Sequence, residues 1–481
     1  MAFTQKVADL NESRNLNTSP WTVSGLKGDK FDYSFIVVCK GTGSIDNNSS
    51  LQITFNSDSG ANYNNNEMGS GSGGILRQGD TTGDTFIKLE RFAKNEAAKG
   101  ALCTGAIRGH SSQNRTVSTI FSMDGTRIYN TFHEWTDNIN ELNSVTFKSA
   151  KNLTMDWHIV IFEIPKVGNN DNWELVDTLS WSASATEQSF TGLEGDTDLF
   201  YKLEWDSQVE PINIEINNAT TGYTREYVIN SGTAFVASGD TPSAMRLTTS
   251  GVFLLKAETG NDRTAVTFSG PDAGSNKHYI EAYWYSDTAT EVTSLDCTPQ
   301  GSVTATAKLY RAKYPSSCTP DIFDLPFEKI DSFSVNTADF TAGQSFTGLE
   351  GDKVLLYRIE WKGNNNDILW LRTNGDSGAS DYARQYVQGS GTAESAGSDT
   401  SASNLTFVGD SSGDESHVVF YIYPQSGEHR PGLSYYMEDE DTVTLFAHWR
   451  SDTVTEITSI LLYADGATTV NGTFTLSAIY L

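Results

Sequence analysis

Cysteine is scarce: Cys39, Cys103, Cys297 and Cys318 are the four in a chain of 481 residues. So few cannot staple several small domains together, and no C-x-x-C pair marks a zinc site. Cys297 and Cys318 lie near enough in sequence to bridge, but reduced, partly buried thiols are the simpler expectation. The seven histidines are scattered singly, with no H-E-x-x-H or comparable metal spacing. His158 and His448 fall inside predicted strands, where a hydrogen-bonded structural histidine is expected. Basic residues are outnumbered 33 to 61, for a formal charge of −28. A surface that negative repels phosphate backbones and anionic headgroups, so neither nucleic acid nor membrane is an expected partner. No run approaches the roughly 18 apolar residues of a spanning helix. Residues 1–20 have no apolar core of signal-peptide length, so synthesis and folding in a cytoplasm are expected. No stretch shows a convincing helical period.

What is present is β texture. Short runs rich in Val, Ile, Phe and Tyr alternate with clusters of Gly, Asn, Ser, Thr and Asp, the residues of turns. They occur in three copies. SFTGLEGD stands at 189–196 and again at 345–352, with a weaker VSGLKGD at 23–29. Each is followed by an alternating strand that starts at Tyr33, Tyr201 or Tyr357. In the last two copies it reads Tyr-Lys-Leu-Glu-Trp and Tyr-Arg-Ile-Glu-Trp. Tyr, Leu or Ile and Trp share one face, with Lys, Arg and Glu on the other, as in a half-buried antiparallel strand. A strand into an Asn/Asp/Gly turn comes next, at 53–60, 214–222 and 371–378, and emerges at a Tyr able to plug the core. The closing segments begin at Trp135, Trp284 and Trp449, and a final strand ends each copy. The expected architecture is all-β: three tandem antiparallel β-sandwich domains, jelly-roll-like, each of about eight strands. Their bounds are 21–166, 167–312 and 313–481, behind a polar N-terminal arm, 1–20, with too little apolar content to fold alone. Short polar links predict beads in a semi-rigid row.

Chemistry is hard to find in this pattern. Glu204 and Glu360 occupy equivalent positions where the first copy has Ile36, so repetition argues for a strand-surface role. Glu281 and Glu291 flank a loop and stand out no further from the acidic background. No catalytic residue, cofactor or metal site is expected. The residues that could contact a ligand are few. Asp58 and Asp376 lie in Asn-x-Asp-Ser-Gly turns that could hold Ca²⁺ but lack the twelfth-position acid of an EF-hand loop. Trp21, Trp135 and Trp370 are less tied to the repeat landmarks than the other tryptophans and could stack on a sugar.

The pattern of the third copy runs Phe327-Glu-Lys-Ile-Asp-Ser-Phe-Ser, Ser345-Phe-Thr-Gly-Leu-Glu-Gly-Asp-Lys, Tyr357-Arg-Ile-Glu-Trp, Asn374-Gly-Asp-Ser-Gly and Glu456-Ile-Thr-Ser-Ile. It resembles the β-sandwich modules of tailed-virus structural proteins: capsid decoration proteins, head fibres or turrets, and tail proteins. The second copy departs from it at the Asn-Asp-Gly turn. The resemblance implies a non-catalytic virion protein that acts through contacts with major capsid or tail proteins, as a homo-oligomer with a trimer favoured. The alternative it leaves is a tail or receptor-binding protein that recognises a host-surface glycan. A glycan-degrading enzyme would need a distinguished acid pair.

Overall fold

Period-two alternation turns into strands over nearly the whole chain. The structure, a computed structural model, describes all residues outside 1–4, 42–48, 72–73, 78–80, 93–99, 109–114, 124–126, 138, 153, 166–172, 207–209, 231–234, 248–249, 260–262, 270–277, 314–322, 324, 366–367, 379–380, 391–392, 409–414, 428–429, 439–441, 451–454, 465 and 467. The first copy contains β1 (Gln5–Arg14), β2 (Trp21–Ser24), β3 (Phe31–Gly41), β4 (Ser49–Phe55), β5 (Tyr63–Gly71), β6 (Gly74–Arg77), β7 (Thr81–Asp84), β8 (Ile87–Phe92), β9 (Gly100–Arg108), β10 (Arg115–Met123), β11 (Arg127–Trp135), β12 (Ser144–Ser149) and β13 (Met155–Pro165). They make a large sheet, β1-β13-β3-β9-β10-β11-β5-β6 with β7 beside β5, and a small one, β2-β12-β4-β8. In chain order β1, β2, β3, β4, β8, β9, β12 and β13 trace a jelly roll, four strands to each sheet. The hairpins β5–β6 and β10–β11 widen the large sheet.

The other copies repeat this path. The second copy's large sheet runs Trp173–Ser184, Val303–Ala312, Phe200–Asp206, Ser250–Lys256, Arg263–Ser269, His278–Tyr285, Tyr223–Asn230, Phe235–Asp240. The third copy's runs Glu328–Thr337, Val470–Tyr480, Val354–Asn365, Glu415–Ile422, Arg430–Glu438, Thr442–Arg450, Tyr382–Ser390, Ala393–Ala402. Twelve strands thus recur among the described residues, where the sequence pattern predicts about eight. The shortfall lies in the widening hairpins, whose strands, such as Tyr63–Gly71 and Ala393–Ala402, are rich in Asn, Gly and Ser rather than alternating apolar residues. The helical content described is one α turn, Gly195–Asp198, and one 3₁₀ turn, Gly351–Lys353, both inside the Gly-Leu-Glu-Gly-Asp repeat.

The N-terminal arm expected at 1–20 is instead structured from residue 5. Gln5–Arg14 pairs antiparallel with β13, from Gln5 opposite Glu163 to Arg14 opposite Met155, and buries Leu10. The first domain therefore begins at this strand and not at 21. Its ladder partner lies some 150 residues away, which no local pattern reveals.

The repeated motifs are two halves of one contact. Gly28, Gly195 and Gly351 donate their N–H to the carbonyls of Leu142, Val292 and Ile457. A Cβ would clash at Gly28 and Gly195, 2.5 and 2.9 Å from Leu142 and Val292, and would crowd Ile457 at 3.1 Å from Gly351. The following Asp29, Asp196 and Asp352 donate their N–H to the carboxylates of Glu141, Glu291 and Glu456 at 3.2, 3.3 and 3.2 Å. Asn56, Asn217 and Asn374 complete the knot from left-handed backbone, φ 51°, 51° and 54°. Their side-chain amides donate to the carbonyls of Glu141, Glu291 and Glu456 and accept N–H groups from the next residues of that loop. Tyr63, Tyr223 and Tyr382 plug the core as expected, each phenol accepting the N–H of Phe55, Ile216 or Thr373. A fourth repeated feature lies outside the turn motifs. Arg115, Arg263 and Arg430 are buried and donate to the backbone carbonyls of Asn140, Thr290 and Thr455 in the closing loops.

The three copies do not form a row. Among the described residues, apolar side chains on one face of each large sheet point into its own jelly roll, and apolar side chains on the other face enter one cluster shared by all three. Ile36, Val160 and Phe162 come from the first copy, Val252 and Tyr310 from the second, Val419 and Tyr421 from the third. Phe323, Leu325 and Phe327, from the stretch between the second and third copies, fill the same cluster. That segment reads as a polar link because its prolines and charges surround the three apolar residues, yet those three anchor it.

Candidate functional site: the junctions between copies

The charged face of the middle strand is where the reading of a half-buried sheet fails. Lys202, Arg358 and Glu360 are only 2%, 1% and 5% exposed, because this face meets the other copies instead of water. The charges survive burial by pairing. Lys202 Nζ lies 3.1 Å from Glu204 and over the rings of Trp173 and Tyr310. Arg358 bonds Glu360 at 3.0 Å and lies over Phe327, while His417 Nε2 meets the other oxygen of Glu360 at 3.0 Å. Burial alone would raise Glu204, but Lys202, Arg108 and Lys308 outweigh it and hold its pKa down at about 2. In the first copy Ser34 and Ile36 stand at these positions, and Ser34 donates to the carbonyl of Phe323. The expected strand-surface role of Glu204 and Glu360 is thus a role at a buried interface.

Ladder register identifies equivalent junction residues. Tyr33, Tyr201 and Tyr357 stand opposite Ile107, Leu255 and Ile422, so Arg108, Lys256 and Tyr423 correspond, as do Glu258 and Gln425. Arg108 of the first copy acts on Glu204 of the second. Glu258 of the second meets Lys362 of the third at 2.6 Å. Tyr423 of the third meets His158 of the first, its hydroxyl 3.5 Å from Nδ1. Each copy offers the end of one strand to the middle of the next copy's sheet, and the third returns to the first. This is a closed head-to-tail ring of three within one chain. Asp196 and Asp352 brace the reaching loops by accepting N–H bonds from Thr259 and Ser426.

The residues expected to contact a ligand are placed as follows. Trp135 is fully buried, stacks on Tyr63, and donates its indole N–H to Asp58 at 2.7 Å. Asp58 also accepts from Asn62 and Gly60, bonds that outweigh burial and hold its carboxyl below the ordinary range. Asp376 accepts from Arg450 at 3.3 Å. Register makes Trp135, Tyr285 and Arg450 equivalent, since they pair with Tyr63, Tyr223 and Tyr382. The turn therefore keeps its Asp where the facing residue carries an N–H donor. The second copy has Ala219 there, and Tyr285 stacks on Tyr223 at 4.7 Å instead. Trp21 is half-buried against Phe147, and Trp370 half-buried under the guanidinium of Arg384. The structure brings together Trp135 with Asp58; the other three lie apart.

Among the remaining candidates, Glu281 is buried, its pKa raised by burial while Arg225 and Tyr283 bind it, and Glu291 belongs to the loop knot described above. His448 bonds Ser434 at 2.9 Å and His158 is buried against Asp9, as expected of structural histidines. Cys39, Cys103 and Cys297 are buried free thiols; Cys318 lies outside the described residues. No group of three or more His, Cys, Asp or Glu is set to hold a metal among the described residues.

No family model matches this chain, and no curated protein does. Among solved structures it has some likeness to the LG1-3 region of the laminin alpha2 chain, at 10% identity over 98% of this chain and 96% of that one, TM-score 0.16. A human SPRY domain matches at 11% identity over 29% and 82%, TM-score 0.16. The β-fructofuranosidase of Schwanniomyces occidentalis matches at 8% over 97% and 98%, TM-score 0.21. Superposition this poor has no bearing on function.

Proposed function

We propose that the chain is a non-catalytic virion structural protein, of the capsid-decoration, turret or head-fibre type, acting through protein–protein contacts on the particle surface. The observation that carries this reading is the closed ring. The repeated motifs are consumed in tying loops to sheets, and the repeated charges in tying copies to one another. The small sheets then face outward three times over, with polar residues such as Gln52, Thr54 and Lys148 on the first copy's outer face. Such a body suits docking on a shell or tail surface of threefold character, the partners being major capsid or tail proteins. In this reading the ring of three copies within one chain takes the place of the homotrimer that the resemblance implies. Its solution mass is then that of a single chain, 52.6 kDa, and light scattering on the purified protein measures it. Immunogold labelling and mass spectrometry of purified particles test the location. Absence of the chain from intact particles overturns the reading.

A further inference from the structure

The three junctions are not alike. Where the ring joins its second and third copies, Lys362 reaches Glu258. Where it joins the third to the first, register puts Val38 and Gln425 at those two positions. Both charges are gone, and a long ammonium chain has become an isopropyl group. A cavity of about 180 Å³ remains between the two copies, walled by Val38, Asn11, Asp156, His158, Tyr423 and Gln425. His158 is fixed within it, Nε2 3.3 Å from Asp9 and Nδ1 3.5 Å from the Tyr423 hydroxyl. Gln425 is fixed too, its amide donating to the carbonyls of Gly351 and Val354.

The wall chemistry narrows what could fill the space. Asp9 and Asp156 disfavour an anion. A bare metal ion would lack a ligand cluster among the described residues. A purely apolar guest would strip water from the Asn11 amide and the Asp156 carboxylate, which also line the space. The room equals the share of about six waters and falls well below the roughly 300 Å³ of a drug-sized pocket. A neutral polyhydroxylated ring matches that size and mixture.

We propose that this junction cavity binds one sugar unit, either a free hexose or the terminal residue of a glycan, through Asn11, Asp156, His158 and Tyr423, with Val38 as its apolar floor. The proposal stands whether or not the protein sits on a particle, and the test uses the full chain alone. Glucose, galactose, mannose, N-acetylglucosamine and oligosaccharides ending in each are titrated by saturation-transfer NMR and calorimetry. At least one is expected to bind saturably with Kd of about 1 mM or tighter. Equal binding of a monosaccharide and its oligosaccharide marks a free-sugar site, and tighter binding of the oligosaccharide a glycan site. The double variant Val38→Lys with Gln425→Glu rebuilds the charge pair of the neighbouring junction and fills the cavity. It should lose at least about tenfold in affinity. Tyr423→Phe removes one hydroxyl and should weaken binding several-fold, which decides the matter if the double variant does not fold. Absence of saturable binding for every sugar overturns the proposal, as does unchanged affinity in the folded variants.

Discussion

Replacing Leu325 by Ala asks whether the ring or the single jelly roll is the unit of stability. Leu325 is wholly buried, in the stretch between the second and third copies, within the cluster fed by all three large sheets. Truncating a buried leucine costs about 2–5 kcal/mol, as lost transfer energy plus a cavity. A middle value of about 3 kcal/mol suits a site flanked by Phe323 and Phe327, rings with little freedom to collapse inward. If the 481 residues melt together, about 2.1 cal/mol/K per residue gives an unfolding entropy near 1 kcal/mol/K. The midpoint then falls by about 3 °C in one transition, whose enthalpy near 60 °C is about 340 kcal/mol. Were the copies independent beads, a linker leucine would face water and its loss would move no transition. Differential scanning calorimetry of both proteins separates the cases. Three resolved transitions, or a shift under about 1 °C, would refute the shared core.

Asn374→Ala removes the amide that binds Glu456, Thr458 and Ser459, and with it the side-chain bonding that lets Asn, unlike Ala, occupy left-handed backbone. It should cost about 3 kcal/mol in denaturant unfolding, with Asn374→Gly about 1 kcal/mol milder because glycine relieves the backbone strain. Acid should loosen the ring. Glu204 and Glu258 are held below the ordinary carboxylate range by facing cations, so they bind fewer protons folded than unfolded. The stability they contribute is fully present above about pH 4.5 and is lost as pH falls towards 2, a decline that midpoints measured from pH 6 to pH 2.5 would reveal. Replacing Glu204 by Gln should flatten that decline. Deleting Val176 should promote association. The outer strand of each large sheet is bulged at one equivalent residue, Val7, Val176 or Ile330, each 37% exposed. A bulge twists an edge away from pairing, and its removal leaves a straight ladder open to a neighbour. Light scattering should then show concentration-dependent multimers, whereas a strict monomer would count against this role.

Legibility in the sequence followed the range of the interactions involved. Local contacts were readable: the jelly-roll strands, the glycine-aspartate turns and the core-plugging tyrosines all declare themselves within a dozen residues. The face of Lys202 and Glu204 was not, because the same alternation describes a strand in water and a strand against another copy; only paired partners tell them apart. Trp135 misled in another way. Matching tryptophan to tryptophan aligned it with Trp284 and Trp449, whereas register aligns it with Tyr285 and Arg450. A slip of one residue moves a side chain to the opposite face of the sheet. The buried arginines had a signal that went unused: Arg115, Arg263 and Arg430 each open the strand two before the closing loop. Of the candidate site, His158 reads in the sequence only as a lone strand histidine and nothing singles out Glu258, since junctions between copies join positions more than a hundred residues apart.

Carrying three copies on one chain changes what a junction can become. In a homotrimer each substitution appears three times, so an altered contact is altered at every interface. Here Glu258–Lys362 and Gln425–Val38 occupy equivalent positions at two junctions with different chemistries, while the remaining junction sets Arg108 toward Glu204. The energetics permit it. Lys362 and Glu258 remain about a third exposed, and a pair so placed contributes no more than about 1 kcal/mol. Each apolar side chain taken fully into the shared cluster contributes about 1.5–3 kcal/mol. The common core therefore holds the ring, while the charge pairs chiefly set which copy follows which. A junction can exchange its pair for a cavity at little cost in stability. The junction between the first and third copies, which are not consecutive in sequence, is the one that has done so.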